Sequence, residues 1–343
     1  MKKSSFTSRK FIIPVVACLL IIGGLLWYFF FSSFTSADKT NYVYLDNDDT
    51  IDSVLTKLQP YATSHGMTGY TTLVRHSSYP EHVKTGRYAV EPGLSTFNLF
   101  RHMKNGIQTP FNLTVPSVRT MDRMAQTVTT KLLMDSTALA KLLTDQATCQ
   151  KMGFDTATIA ALFIPNTYDI YWNISPEKFL ERMKKEHDRF WNDQRKQKAK
   201  AVGLTPIEVA TLASIIDEET ANDAEKPMIA GMYLNRLRDH MPLQADPTVK
   251  FALKDFALKR IYNSMLTIDN PYNTYRNEGL PPGPIRVASV AGLEAVLNPV
   301  QHDYLYMCAK EDFSGTHNFA RTYSEHLQNA ARYSKALNER GIK

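Results

Sequence analysis

Cysteine is nearly absent from this chain. There are three in 343 residues, and Cys18 lies inside an apolar run, so only Cys149 and Cys308 could pair. A disulfide scaffold and a four-cysteine zinc site are therefore excluded. The nine histidines include no H-E-x-x-H or similar ligand spacing, so no metal site is expected from spacing. Glycine (15) and proline (17) follow no G-X-Y period, which excludes a fibrous protein. The net charge is +6, but Lys2, Lys3, Arg9 and Lys10 supply most of it and the remainder is near +2. That balance does not support nucleic-acid binding. With 43% apolar and 22% charged residues, the chain is globular in composition. Its length suits one large domain or two to three of about 100–200 residues.

One stretch does stand out. Residues 11–31 carry no charge, with Trp27 and Tyr28 near the far end. At about 1.5 Å per residue such a helix crosses a ~30 Å hydrocarbon core. The positive charges ahead of it and the delay to Asp38 predict a cytoplasmic tail (1–10), a single transmembrane helix (11–31) and an external remainder. A cleaved signal peptide is the alternative; its apolar core is usually shorter, and Phe29, Phe30 and Phe31 suit cleavage poorly.

Residues 32–41 read as a short polar linker. Residues 42–45 alternate as a strand, and Asp49-Thr50 cap a helical pattern at Ile51, Val54, Leu55 and Leu58. Residues 70–74 are of undecided type. A strand over 85–90 ends at Glu91-Pro92-Gly93, Ser95 opens a helix stopped by Gly106, and 111–115 form a strand. Residues 42–115 are thus expected to form a small α+β module. Residues 120–163 are helical in pattern, with methionines as core filler. A break at 164–167 follows, and Ser175-Pro176-Glu177 opens a charged helix to about residue 200.

The next helix has a complete start signal: Thr205 as N-cap, Pro206 at the first helical position and Glu208 three residues after the cap. It ends in Asp217, Glu218 and Glu219. Glu219 continues the stripe of Leu212, Ile215 and Ile216, whereas Asp217 and Glu218 are rotated away by about 200° and 100°. A carboxyl on an apolar side loses hydration and holds its proton to higher pH, as a general acid must. The competing reading pairs Glu219 with Arg236 or Arg238, or leaves it in solvent. Further polar clusters follow: Asn235-Arg236, then Gln244, Asp246 and Thr248, then Tyr272, Asn273, Thr274 and Tyr275, then Pro282-Gly283, then His317 and Phe319. Tyrosines beside amides and hydroxyls match the apolar faces and polar rims of sugars; an ordinary surface loop is the alternative. Glu325-His326 start a C-terminal helix.

"LASIIDEET" (212–220) resembles the signature of the MltG/YceG-like endolytic murein transglycosylases. The likeness runs on in order through "YLNRL" (233–237), "LQADPT" (243–248), "NPYNTY" (270–275), "GLPPGPI" (279–285), "NP" (298–299), "YLY" (304–306) and "GTHNF" (315–319). It is looser at "KTGRYAVEPG" (84–93) and "FIPNTY" (163–168). The family pattern is Glu-x-Glu-Thr, its second Glu being the catalytic acid. That position is Glu219, and Asp217 stands where the family has its first Glu.

The resemblance implies an α+β architecture: one N-terminal transmembrane helix, a small LysM-like module (42–115) and a larger mixed α/β catalytic domain (116–343). It implies a lytic transglycosylase that cuts the MurNAc–GlcNAc β-1,4 bond of nascent strands and leaves 1,6-anhydroMurNAc ends. Glu219 would be acid and base. Gln244, Asp246, Thr248, Tyr272, Asn273, Thr274, Tyr275, Pro282, Gly283, His317 and Phe319 would contact substrate, with Asp217 and Asn235 in support. Expected partners are peptidoglycan glycan strands, the bacterial membrane and cell-wall synthases (glycan polymerases and transpeptidases). The expected location is the inner membrane, with the catalytic domain in the periplasm. A hydrolase using Glu219 with Asp246, and a non-catalytic scaffold, are the competing functions.

Overall fold

The protein is described from a computed structural model covering residues 5–258 and 261–341; Lys2 and Lys3 of the expected tail lie outside these. The chain divides into two compact units. The first comprises Met1–Asn112, Lys131–Leu133 and Asp169–Ile174, and the second Leu113–Thr130, Met134–Tyr168 and Ser175–Lys343.

The first unit starts with α1 (Ser5–Leu26), continued by a π-helical turn, Trp27–Phe31. Ile12–Phe31 is long and apolar enough to cross a membrane, a property that anchors and signal sequences share. There follow β1 (Asn41–Leu45), α2 (Ile51–Leu58), α3 (Ser64–Arg75), β2 (Gly86–Val90) and α4 (Thr96–Asn105); β3 (Phe111–Val115) has most of its residues in the second unit. β1 and β2 pair antiparallel, with Val43 opposite Tyr88. Thr50 and Ser95 cap α2 and α4, and Gly106 ends α4 in the left-handed region at φ 71. The core joins Val43 and Leu45 to Val54, Leu58, Tyr70, Tyr88 and Leu99.

Two sequence expectations change here. Residues 70–74 belong to α3, whose Gly66 and Gly69 lie against the backbones of Phe34 and Phe29. The stretch read as a polar linker is no free tether. Phe34 is fully buried, its N–H donates to Leu94, and Ser33 bridges Ser95. One aromatic residue within a polar stretch escapes an average of composition yet suffices to seat the segment in a core.

The second unit is mainly helical. It contains α5 (Met121–Thr129), α6 (Ser136–Thr144), α7 (Gln146–Lys151), β4 (Asn166–Ile170), α8 (Pro176–Phe190), α9 (Asp193–Ala201) and α10 (Pro206–Glu219). α11 (Lys226–Arg238), α12 (Asp246–Leu253), α13 (Val290–Leu297), β5 (Tyr306–Ala309), β6 (His317–Ala320) and α14 (Tyr323–Glu339) complete it. β3 pairs with β4, and β5 pairs antiparallel with β6. The long helical region is split by caps at Asp135 and Asp145, and the charged helix by a cap at Asn192 after the buried Trp191. Cys149 and Cys308 are both free thiols.

Candidate active site

The site begins with α10. Its capping box is formed as the sequence predicts: Thr205 N–H donates to Glu208 Oε2 at 2.7 Å, and Glu208 N–H to Thr205 Oγ1 at 3.3 Å. From Val209 to Ile216 every residue is buried, so the helix is enclosed all round rather than along one stripe. Helical phase therefore does not sort the terminal acids into inside and outside. It sends them to three different protein environments.

Asp217 is held by a buried cation. Its side chain is 3% exposed and meets Lys226 Nζ at 2.8 Å; it also accepts from Ser289 N–H at 2.6 Å and Ser289 Oγ at 2.7 Å. Glu218 takes Arg119 in a two-pronged pair at 2.8 Å and Arg286 at 2.9 Å. Glu219 receives no cation among the described residues, and neither Arg236 nor Arg238 pairs with it. Among the described residues its hydrogen-bond partner is the Tyr233 hydroxyl, which donates to Oε1 at 2.8 Å. The C-terminal end of a helix is the negative pole of its dipole, which disfavours carboxylates there. Two of these acids are neutralised by cations. The third is raised toward neutrality: burial pushes the Glu219 carboxyl up to about 7, the Tyr233 hydrogen bond and the charge of Lys250 pull it down in part, and Asp246 adds to the rise.

Glu219 is part-exposed to a cavity of about 460 Å³ in the second unit. Gln244, Asp246, Tyr275 and His317 border the same cavity. The Tyr275 hydroxyl donates to Asp246 Oδ1 at 2.6 Å. His317 is held by Glu225, which accepts from its N–H at 2.7 Å and meets Nδ1 at 3.0 Å. Gln244 has a left-handed backbone at φ 51, an uncommon state for this residue type. Its N–H donates to Thr274 O at 3.0 Å, and its Oε1 accepts from Arg236 Nη2 at 2.6 Å.

The other expected contact residues build the frame instead. Thr248 and Thr274 are buried and joined through their hydroxyls at 2.8 Å, and Thr274 Oγ1 takes the Ala245 N–H. Asn273 is buried; it donates to Leu266 O and Ile268 O at 2.9 Å and accepts the Tyr275 N–H at 3.1 Å. These three hold the Gln244–Asp246 loop against the Tyr275 loop. Tyr272 packs on Phe251 at 4.7 Å and borders a separate cavity. Phe319 packs on Tyr304 at 5.8 Å, and Asn235 donates to His302 O and Tyr304 O at 2.7 and 3.0 Å.

Pro282 is exposed, and Gly283 is buried where any Cβ would sit 2.2 Å from Ala157 O. Gly283→Ala should therefore cost about 1–3 kcal/mol through overpacking against backbone. A thermal melt checks it; an unchanged Tm would refute the close approach.

Sequence reasoning missed Tyr233, Tyr306, Tyr323 and His326 and gave Arg236 no part in binding; all five border the cavity. Tyr233 and Arg236 stand three apart on α11, a spacing that puts them on one face. That signal was present in the sequence. Among the described residues, no group of three or more His, Cys, Asp or Glu is arranged to hold a metal ion.

The YceG-like family profile matches residues 43–332, and the chain belongs to that family. It is 43% identical over 130 residues to the endolytic murein transglycosylase of Bacillus subtilis strain 168, covering 38% of this chain and 35% of that protein. It is 25% identical over 300 residues to the endolytic murein transglycosylase of Streptococcus pneumoniae strain D39, covering 78% of this chain and 54% of the relative. The chain thus spans about half or less of the length of these curated relatives. A 2.6 Å crystal structure of a yceG-like protein from Listeria monocytogenes matches with a TM-score of 0.54 and 26% identity. The match covers 85% of this chain and 99% of that one.

Proposed function

We propose that this protein is an endolytic murein transglycosylase in which Glu219 is the sole proton carrier. The observation that carries the proposal is a carboxyl in a polar cavity, with no salt-bridge partner among the described residues, lifted by burial to about 7. The names of the Bacillus and Streptococcus relatives support the substrate class.

In this reading protonated Glu219 gives its proton to the glycosidic oxygen between MurNAc and GlcNAc. The C1–O bond breaks with development of oxocarbenium character. The 6-hydroxyl of the same MurNAc attacks C1 and closes the 1,6-anhydro ring. Its proton passes to the Glu219 carboxylate, which restores the starting state. No water is consumed and no second carboxylate is required, in contrast to a glycoside hydrolase. The Tyr233 hydroxyl steadies the carboxylate stage through Oε1. Gln244, Asp246 with Tyr275, and His317 position the sugar.

Also within this proposal, Ile12–Phe31 is an uncleaved inner-membrane anchor with its N-terminus in the cytoplasm, and the catalytic unit is periplasmic. Residues 42–115 form a LysM-like module that touches glycan; the strand–helix–helix–strand run with paired β1 and β2 supports that reading. Cell-wall synthases are the proposed partners.

The test is a digest of uncrosslinked, lipid-linked glycan by the full chain in detergent, read by mass spectrometry. Fragments with 1,6-anhydro ends are expected. Reducing ends, heavier by one water, would instead establish a hydrolase, and an inert protein would favour a scaffold. The pH profile follows from the same carboxyl. The free enzyme must hold the proton, so kcat/KM should fall as pH rises through about 7, tenfold per unit beyond it. A flat profile from pH about 6 to 9 would exclude Glu219 as the acid.

A further inference from the structure

α14 plays no part in the chemistry above, yet two of its residues reach the Glu219 cavity. Tyr323 and His326, three apart on the first turn, border it together with Tyr306 at the start of β5. The three rings form a cluster. His326 is stacked on Tyr306 with centroids 5.5 Å apart and planes at 26°. Tyr323 lies 6.1 Å from His326 and 5.8 Å from Tyr306.

A cluster that served only packing would be covered. Tyr323 is 60% exposed, as is half of the neighbouring Leu327 (50%), and Asn329 is the buried residue of this helix. The cluster also has an unused polar edge. His326 Nδ1 is buried without a hydrogen-bond partner among the described residues, which is uncommon for a buried polar atom. Burial and the nearby Arg236 hold the His326 ring below its usual titration range, so it is neutral at pH 7. Arg236 itself lies 5.5 Å from the Tyr306 centroid and is tied by hydrogen bonds to Pro242 O, Leu305 O and Gln244. One wall of the cavity is thus lined by a set of aromatic rings, with Tyr323 open to solvent.

Flat apolar faces edged with hydrogen-bonding atoms fit one chemistry above others here. A sugar ring presents C–H faces and hydroxyl rims, and a glycan polymer bound at Glu219 must continue past the bond that is cut. We propose that Tyr306, Tyr323 and His326 form a stacking platform for a sugar of the same strand, beyond the pair joined by the scissile bond. The platform makes the enzyme favour longer glycans. This rests on the transglycosylase reading and adds a specificity determinant to it.

The test compares the full-length protein with Tyr323→Ala, Tyr323→Phe and His326→Ala on long uncrosslinked strands and on short oligosaccharides that reach only the Glu219 subsites. On long strands Tyr323→Ala should raise KM about tenfold with kcat little changed, while Tyr323→Phe, which keeps the ring, restores most of the loss. On short oligosaccharides the variants and the wild type should be equal. Unchanged KM on long strands would overturn the platform, as would an equal loss at every length, which is what a merely structural role gives.

Glycan binding by Glu219→Gln protein, with and without Tyr323→Ala, is measured beside this by calorimetry. Wild-type protein that neither cleaves nor binds glycan would sink the transglycosylase reading and the platform with it. Wild-type activity with an unaffected Tyr323→Ala would sink the platform alone.

Discussion

Glu219→Gln is expected to lose turnover by about 10³-fold or more while folding normally, because one carboxyl carries both proton transfers and general acid–base groups contribute about 10²–10⁴ each. Gln keeps the size of the side chain and can still accept the Tyr233 hydrogen bond on its carbonyl oxygen. It has no proton to give. The same variant should change stability in a defined direction. The Glu219 carboxyl is raised in the folded state from 4.5 to about 7. The ionisation penalty of its burial is therefore absent at low pH, where it is protonated folded and unfolded alike. Stability is lost as pH rises from the unfolded value through about 7, and the full penalty is present above that. Gln carries no such penalty. At pH about 8 the variant should melt above the wild type, and at pH about 4 the two should coincide. Activity above one per cent of wild type, or a variant that melts lower at the alkaline pH, would refute the assigned protonation.

The second large effect concerns Asp217→Ala. Asp217 and Lys226 form an ion pair with side chains only 3% and 6% exposed. Removing one partner of a buried pair leaves the other desolvated, a loss of about 3–5 kcal/mol. Lys226 retains Asp223 at 2.7 Å, and that partner is 70% exposed, so the loss should fall toward the lower end. Ser289 loses an acceptor for both its N–H and its hydroxyl, which unties the start of α13 from the end of α10. Activity should fall as well, since Glu219 lies two residues along the same helix end. Denaturant midpoints and kcat/KM measured together check both. A stability change below about 1 kcal/mol would mean the pair is not closed in solution.

Local signals with a short-range cause were legible in the chain. The caps at Thr50, Ser95 and Thr205, the left-handed stop at Gly106 and the strand at Phe111–Val115 stand where the sequence predicts them, because each depends on side chains within about four residues. Breaks at Asp135, Asp145 and Asn192 had the same kind of signal and were passed over in favour of longer helical patterns. The three acids at the end of α10 were legible as a group, but helical phase does not separate them, because the helix is enclosed all round.

What the tertiary structure decided was the work of each polar residue. Thr248, Asn273 and Thr274 have the composition of a sugar-binding loop, but they spend their hydrogen bonds on one another and on backbone. Tyr306 and His326 are 20 positions apart and meet face to face only because β5 and α14 pack together. The three acids of α10 differ in sequence by one position each. Arg119 and Arg286, from distant segments, and Lys226, from the start of the next helix, pair with two of them and leave the third without such a partner among the described residues. The sequence alone determined which helix ends in three acids. Which of them stays uncharged near neutral pH depends on cations brought in by other elements, because a pKa is set by the charges and burial around a group in space and not by its neighbours along the chain.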